Sequence, residues 1–508
     1  MPYRLFPYER ELGLRELEQL GLDVIDEQDD AVVVSGDISI AVERATFFDH
    51  IESQPGALVP TKQHLVERAH VERRSRIATR QATRYGLHGI HEYKGKFNPQ
   101  VARALCNIVD PSAEFLIDPF CGSGTALLEG QRLGLDVLGI DCSPMAWFLA
   151  SVKLGAASVD RKADLRASVA RLSRRVAKAM DAGQRHLTPV DLAPALGQAA
   201  VDYLTDWFTV DVYAGLSSAL ERLYAARSGV ARNLCLLALS AILRNISLQM
   251  PEDLRIRRRP QPFEAPRLAP LFLDATAAIC DGLAEMDAWS CSRTPNDPTV
   301  LHGSADDRSL YATTAQGKRR LILTSPPYAT ALPYIDTDRL SIVLLGLSTP
   351  SELMPWERRL LGSREWVRAE QKHWEGRRAV NEDLLPSSVT MLLDRIEVMN
   401  QDGDAGFRRL AMPSLLYRYF AGMADAMSTW LDVLEPRESA VMIVGHNHTT
   451  ANGERIDIPT PELLGDIAES RGFELGDLIG LETWPRYGLH SANGVPGEDA
   501  LVIVRPDP

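Results

Sequence analysis

From about residue 87 the apolar positions of the chain fall into a repeating order. "NPQVARALCNIV" has helical spacing and reads as a helix starting near Pro99. "EFLIDPF" is a short apolar strand ended by a proline. "SGTALLEGQRLG" returns to helical spacing and closes on Gly134, and "DVLGID" is a second strand. Strand, helix, strand at this spacing predicts a βαβ unit, and so a parallel sheet with a right-handed crossover.

The strand signals then stop. Residues 156–296 are almost wholly helical in pattern, broken by "RIRRRPQPFEAPRLAP". Strands return at "PTVLHGS" and "RRLILTS", followed by a helix, "TDRLSIVLLGL". Residues 350–408 are charged, contain tryptophan and show no clear strand. The last hundred residues read helix, strand ("SAVMIVG"), helix, and then two strands, "FELGDLIGLET" and "EDALVIVR", with no helix between them. At the other end, "YERELGLRELEQLG" and "AVVVSG" read as a helix and a strand.

The predicted fold class is α/β. It is a Rossmann-like sheet with an antiparallel C-terminal edge strand, a large helical insert and a small N-terminal α/β piece. The expected division is 1–60 for the N-terminal piece, 61–86 for an Arg-rich helix or linker and 87–155 for the first half of the main domain. A helical insert at 156–296 follows as a candidate for target recognition. Residues 297–349 form the second half, 350–408 an insert that could face a nucleic acid, and 409–508 the rest of the sheet.

Composition narrows the partners. At 508 residues the chain is too long for one compact core. With 45 % apolar and 24 % charged residues it reads as soluble and globular. No apolar run approaches the roughly 20 residues of a membrane span, and the N-terminus lacks an apolar signal region. The expectation is a cytoplasmic protein with no membrane partner. Six scattered cysteines form no CxxC pair and read as free thiols. A net charge of −13 argues against a surface coated all over for phosphate contact. It leaves local basic segments at 72–84, 255–267 and 364–378, each equally readable as a solvated surface. From these, Arg255, Arg257, Arg258 and Arg259 are the candidate nucleic-acid contacts.

Four motifs could carry chemistry. In "DPFCGSGTALLEG" (118–130) Gly122 and Gly124 bracket a serine between a strand and a helix. Glycines allow a tight turn and close approach of a ligand, and the helix start offers free N–H groups. No GK[ST] follows, so this is not a phosphate-binding P-loop. Any α/β protein can also place such a turn without a ligand. Asp141 ends the second strand about 20 residues on, the spacing of a ribose-binding acid; it could equally cap the next helix. Together the two features favour an adenosine-containing cofactor. In "GSADDRSL" an acid after the third strand could reach an adenine amino group, with Asp306 preferred over Asp307, or it could be a helix cap.

The fourth motif is "TSPPY" (324–328). Two prolines preset the loop shape and remove donors. Ser325 and the Pro326 carbonyl remain as acceptors, and Tyr328 supplies a flat ring. Two acceptors gripping the hydrogens of an exocyclic amine would free its lone pair for attack, with positioning supplying much of the rate. Alone, the motif also fits a Pro-rich loop with a core tyrosine. His446 with His448, and His88 with His91, look like ligand pairs but lack a third ligand at metal spacing. No metal is expected.

In this order the motifs resemble the amino-methyltransferase family of S-adenosylmethionine-dependent DNA methylases, in the branch that carries Ser-Pro-Pro-Tyr. "DPFCGSGT" is similar to the family's methionine-holding motif, which implies cofactor roles for Asp118, Phe120, Gly122, Gly124 and Thr125. "GIDCSP" is similar to the ribose motif and brings in Asp141. "HEYKGKFNPQVARAL" resembles the aromatic and proline cofactor wall, matched here at His91, Lys96, Phe97 and Pro99. "TSPPYATALPYIDTDRLSIVLLGL" resembles the catalytic loop and its helix, which implies Ser325, Pro326, Pro327 and Tyr328 as catalytic. The likeness covers roughly 87–155 and 298–508.

The resemblance implies S-adenosyl-L-methionine as cofactor and DNA as partner, with base flipping and Tyr328 stacking on the extruded base. A cognate restriction or defence partner would fit a modification enzyme. The family uses Ser at the Ser325 position most often for cytosine N4, and Asp or Asn for adenine N6. Cytosine N4 is therefore preferred, then adenine N6, then an RNA base or another amine. RNA is kept as an alternative because "YERELGLRELEQLG" resembles the opening of an RNA-binding module found ahead of some tRNA methyltransferases. A 5-methylcytosine reaction is excluded, since no proline in the chain is followed by a cysteine.

Overall fold

The computed structural model describes residues 5–28, 31–52, 57–73, 83–251, 257–259, 264, 266–288, 296–313, 317–329, 333–401, 406–482 and 497–507. Seven strands form the central sheet. They are β1 (Phe115–Asp118), β2 (Asp136–Asp141), β3 (Thr299–His302), β4 (Arg320–Thr324), β5 (Ser439–Gly445), β6 (Glu474–Glu482) and β7 (Gly497–Val504). Their order is β6-β7-β5-β4-β1-β2-β3. The β4–β1–β2–β3 and β5–β4 pairings are all parallel, while β7 runs antiparallel to both β5 and β6. The antiparallel pairing expected at the C-terminal end is present. The reversed strand itself lies one place in from the edge: β7 takes ladder bonds from β5 and β6 at once and leaves β6 outermost.

Side chains alternate across the sheet with period two, and each face buries its own core. Leu116, Val137, Leu321, Leu323, Val441 and Val502 face one side. Phe115, Ile117, Leu138, Ile140, Ile322 and Met442 face the other. The first face packs under the helices Pro99–Val109, Thr125–Arg132 and Pro144–Ala157, and its core continues into the helical insert. The second is covered by Met412–Val433 and Thr460–Ser470, where Trp430, Phe420 and Ile467 are buried.

The insert between β2 and β3 is helical, as its spacing predicts, with its long members at Lys162–His186, Val210–Tyr224, Val230–Ile246 and Leu268–Glu285. It is tied to the sheet domain by polar contacts as well as by packing. Ser240 Oγ donates to Ser341 Oγ at 2.8 Å, and Arg244 donates to the Thr337 carbonyl at 2.8 Å. Residues 353–401 form three helices, and Glu357 of the first accepts from the backbone N–H groups of Ile335 and Asp336. That caps the helix Tyr334–Leu344, which follows the Ser-Pro-Pro-Tyr loop.

The N-terminal helix Pro7–Gln19 lies on Pro99–Val109. Its buried Glu16 accepts from Thr46 N–H at 2.8 Å and from Asn107 Nδ2 at 2.7 Å. A carboxylate with no water needs such partners, so these bonds fix the helix in register with its neighbour.

Candidate functional site

The carboxyl ends of β1, β2 and β4 meet at one edge of the sheet, where open α/β folds bind ligands. At the end of β1 the chain must turn into a helix within a few residues. Gly122 and Gly124 do this at φ 49° and 75°, a left-handed region costly to other residues. Each is also closely approached: a Cβ on Gly122 would lie 3.1 Å from the Tyr93 ring, and one on Gly124 3.1 Å from Ala150 Cβ. Below the turn, Lys153 is fully buried and donates from Nζ to the Ser123 carbonyl at 3.0 Å. Burial pushes its amine well below the ordinary lysine range, with the nearby positive charge of Lys96 adding to the effect.

Asp141 at the tip of β2 faces the same turn. One carboxylate oxygen accepts from Gly122 N–H at 2.8 Å, and the other from Ser143 N–H at 2.8 Å. The following helix is capped by the Ser143 side chain, which accepts from Ala146 N–H. Asp141 is therefore not the cap. Burial raises its carboxyl to about 6. After β3, Asp307 accepts from Ser309 N–H at 3.0 Å and occupies the capping role. Asp306 is exposed and accepts from the Ser304 hydroxyl.

Asp118 joins the two halves of the site. It is fully buried at the end of β1, and its Oδ1 accepts from Phe120 N–H at 3.2 Å and from Thr324 Oγ1 at 2.6 Å. Thr324 ends β4, the neighbour of β1, and opens the Ser-Pro-Pro-Tyr segment. One hydroxyl thus fastens the candidate catalytic loop to the Gly turn. Asp118 Oδ2 is buried with no hydrogen-bond partner among the described residues. Burial raises this carboxyl to about 7, with the bond from Thr324 working in the opposite direction. Thr324→Val removes the fastening and strips a buried carboxyl of its strongest donor. It should cost about 1–3 kcal/mol of stability, read as a shift in the denaturation midpoint.

The loop itself is held from the other side. Ser325 and Pro327 are half-buried and Pro326 is buried. The Tyr328 hydroxyl donates to Glu498 Oε1 near the start of β7. Five residues after the described end of the loop, Tyr334 stacks on Tyr93 with ring centroids 6.3 Å apart and planes 16° from parallel. Tyr93 is thereby clamped over Gly122. Its own burial, and then the charge of Asp141, push its hydroxyl well up.

The segment ahead of the turn divides by role. His91 Nε2 pairs with Ser240 Oγ at 2.9 Å, towards the helical insert, and burial lowers its imidazole to about 4. Lys96 donates from Nζ to the carbonyls of His88, at 2.8 Å, and Thr83, at 3.3 Å. Burial brings its amine down to about 7. Phe97 packs on the first core and Pro99 starts its helix. His88 is buried with Nε2 2.8 Å from Glu129, so it belongs to a structural network. Phe120 meets Trp430 edge to face at 6.4 Å, and Thr125 is buried at the helix start.

The basic candidates are engaged by their own chain. Arg258 lies over the Trp207 ring at 5.1 Å and donates to the Asp206 carbonyl. Arg259 donates to the Gln249 carbonyl at 2.9 Å. Arg257 is exposed, and Arg255 lies outside the described residues. Within 364–378, Arg377 pairs with Asp383, and Arg378 with Asp394 and Glu397. Among the described residues no group of three or more His, Cys, Asp or Glu side chains could hold a metal. No described helix is long and apolar enough to cross a membrane.

Tyr93, Lys153, Thr324, Tyr334 and Glu498 are the site residues that sequence reasoning missed. Two left a signal: the aromatic inside "HEYKGKF", and the lone lysine in the apolar helix "MAWFLASVKLGAA". The others act through neighbours set only by strand order.

One comparison with known proteins bears on the Gly turn and Asp141. Residues 89–195, which contain the Gly turn and Asp141, match a family described as "RMKL-like, methyltransferase domain". The chain is 44 % identical over 68 residues to the type II methyltransferase M.MjaII of Methanocaldococcus jannaschii. It is 38 % identical over 69 residues to the type II methyltransferase M.MvaI of Kocuria varians. Each match covers 13 % of this chain, and they cover 13 % and 15 % of the two relatives. Over those parts the chain is similar to methyltransferases.

Proposed function

We propose that the chain is an S-adenosylmethionine-dependent methyltransferase that modifies an exocyclic amine of a flipped DNA base, with cytosine N4 as the acceptor. The observation that carries this reading is the Thr324–Asp118 hydrogen bond, which joins a nucleotide-type Gly turn to an amine-gripping loop. The residues present fit a cationic, ribose-bearing cofactor. A buried carboxylate oxygen of Asp118 has no donor among the described residues, and Asp141 holds two acceptor oxygens at the strand tip. When bound, the cofactor supplies an electrophilic methyl group.

The chain's own residues supply the rest. Gly122 and Gly124 let the backbone approach the ligand, and Tyr93 walls it. Asp118 would face its positive end, Asp141 its ribose hydroxyls and Asp306 its adenine amine. Ser325 Oγ and the Pro326 carbonyl accept the two N–H hydrogens of the target amine, which turns its lone pair out of conjugation. Tyr328 stacks on the base and replaces part of the stacking lost on flipping. Ser325 offers a neutral acceptor, in keeping with cytosine N4.

A pH dependence follows from the two carboxyls. Burial holds Asp118 at about 7 and Asp141 at about 6, above the ordinary carboxyl value of about 4. Between about pH 4 and 7 the folded protein binds more protons there than the unfolded chain, so their contribution to stability falls as pH rises. A cationic ligand favours the ionised forms. Cofactor affinity should therefore rise from pH 5.5 to pH 8, as measured by calorimetric titration. A flat profile would separate the two carboxyls from the cofactor.

The activity itself is tested by supplying cofactor labelled in its methyl group together with plasmid DNA and, separately, total RNA. Label in the DNA is the expected result; label confined to RNA would move the substrate to the alternative reading.

A further inference from the structure

The helix Tyr334–Leu344 starts at an N-cap, Pro333, that makes no side-chain capping bond. A proline ring carries no acceptor for the free N–H groups of a first turn. Glu357 supplies one from another helix, Leu353–Arg359. A single oxygen, Oε2, accepts from Ile335 N–H at 2.9 Å and from Asp336 N–H at 3.3 Å. Glu357 is only 3 % exposed, and burial raises its carboxyl to about 7, with the two backbone bonds working in the opposite direction. A serine or threonine at the N-cap would accept from the same turn without burying a carboxyl. The borrowed cap does what a local one cannot: it ties this helix to a second segment.

The capped helix carries the wall of the Gly turn. Its first residue, Tyr334, stacks on Tyr93 with ring centroids 6.3 Å apart, and Tyr93 lies against Gly122. A Cβ on Gly95 would stand 3.0 Å from the Tyr334 hydroxyl, so this ring is closely packed as well. Burial first, then the charges of Asp141 and Glu357, push that hydroxyl up to about 12. Glu357, Tyr334 and Asp141 therefore share one site. Trp356, beside Glu357 in the chain, meets the His302 ring at 4.9 Å. His302 Nε2 lies 3.0 Å from the carbonyl of Cys142, the residue after Asp141. One short helix thus touches both the helix after the Ser-Pro-Pro-Tyr loop and the end of β3.

We propose that Glu357 is a positioning residue for cofactor binding. It fixes the start of the helix, the helix fixes Tyr334, and Tyr334 holds Tyr93 as the wall of the cofactor pocket. Glu357 touches no reacting atom and acts only through the two tyrosines. The proposal rests on the cofactor reading above.

Its test is calorimetric titration of the full-length protein with S-adenosylmethionine, with the melting temperature recorded for each variant. Glu357→Ala should bind about tenfold more weakly. Glu357→Gln keeps an oxygen at the same reach and should stay within about threefold of wild type. Glu357→Asp, one methylene short of the two N–H groups, should also bind more weakly, and it replaces alanine if that variant does not fold. Tyr334→Ala should weaken binding too, and adding Glu357→Ala to it should weaken it no further, because the two residues act in series. A cap that only stabilised the fold would lower the melting temperature and leave the affinity of the folded protein unchanged. Three results would overturn the inference: wild-type affinity in a folded alanine or aspartate variant, a glutamine variant as weak as alanine, or losses at Glu357 and Tyr334 that add in full. If the wild type binds no S-adenosylmethionine, the cofactor reading falls and this inference falls with it, an outcome distinct from the other three.

Discussion

Tyr328→Ala is expected to lower methyl transfer by about 100-fold or more while leaving cofactor affinity unchanged. Two losses combine. The ring proposed to stack on the extruded base is gone, and so is the hydroxyl that ties the loop to Glu498 on β7. The proposed cofactor side, with Gly122, Asp141 and the Tyr93–Tyr334 pair, is joined to the loop through Thr324 and Asp118 rather than through the Tyr328 hydroxyl. Tyr328→Phe separates the contributions: it keeps the ring and drops the tether, so it should fall between wild type and alanine. Single-turnover rates beside cofactor titrations decide the matter. An alanine variant with wild-type turnover would remove Tyr328 from the machinery.

Gly122→Val should reduce cofactor affinity by at least as large a factor. The backbone at Gly122 is left-handed, at φ 49°, which costs an L-residue roughly 1–2 kcal/mol. A β-branched side chain fares worse there. Its Cβ alone would stand 3.1 Å from the Tyr93 ring, and that ring is clamped by Tyr334, so it cannot easily yield. The strain is relieved only by moving the turn, which breaks the 2.8 Å bond from Gly122 N–H to Asp141. Both groups assigned to the cofactor are then displaced together. The measurement is binding of the cofactor by calorimetry, with the melting temperature as a check on folding. A folded Gly122→Val protein that binds cofactor normally would show that the turn is only structural.

Much of the fold was legible because parallel strands buried on both faces read as apolar runs, as in "FLID", "DVLGID" and "SAVMIVG". The reversed strand was legible from the missing helix between "FELGDLIGLET" and "EDALVIVR". Its place between β5 and β6 was not, since sequence order carries no information on which edge a strand joins. The hairpin at 447–458 was overlooked although Asn452-Gly453 between alternating residues is a strong hairpin signal. Its polar strands hide it: "NHTTA" and "ERIDI" bury little.

The candidate site was legible wherever its arrangement follows from local chain geometry, as at Gly122, Gly124 and Asp141. It was hidden wherever function depends on a neighbour distant in sequence. Thr324 is an ordinary strand residue until β4 lies beside β1 and brings Asp118 within 2.6 Å. Glu498 acquires meaning only once β7 places it across from Tyr328. The arginine cluster shows the same dependence on distant neighbours. Arg258 and Arg259 form an exposed basic run in the sequence, yet both donate to carbonyls of their own chain.

The central claim is that Ser325, Pro326 and Tyr328 grip an exocyclic amine of a DNA base. Its most direct test is nucleoside mass spectrometry of plasmid DNA after incubation with the protein and S-adenosylmethionine. The account predicts N4-methylcytosine; DNA carrying only 5-methylcytosine, or none of the added methyl, would contradict it.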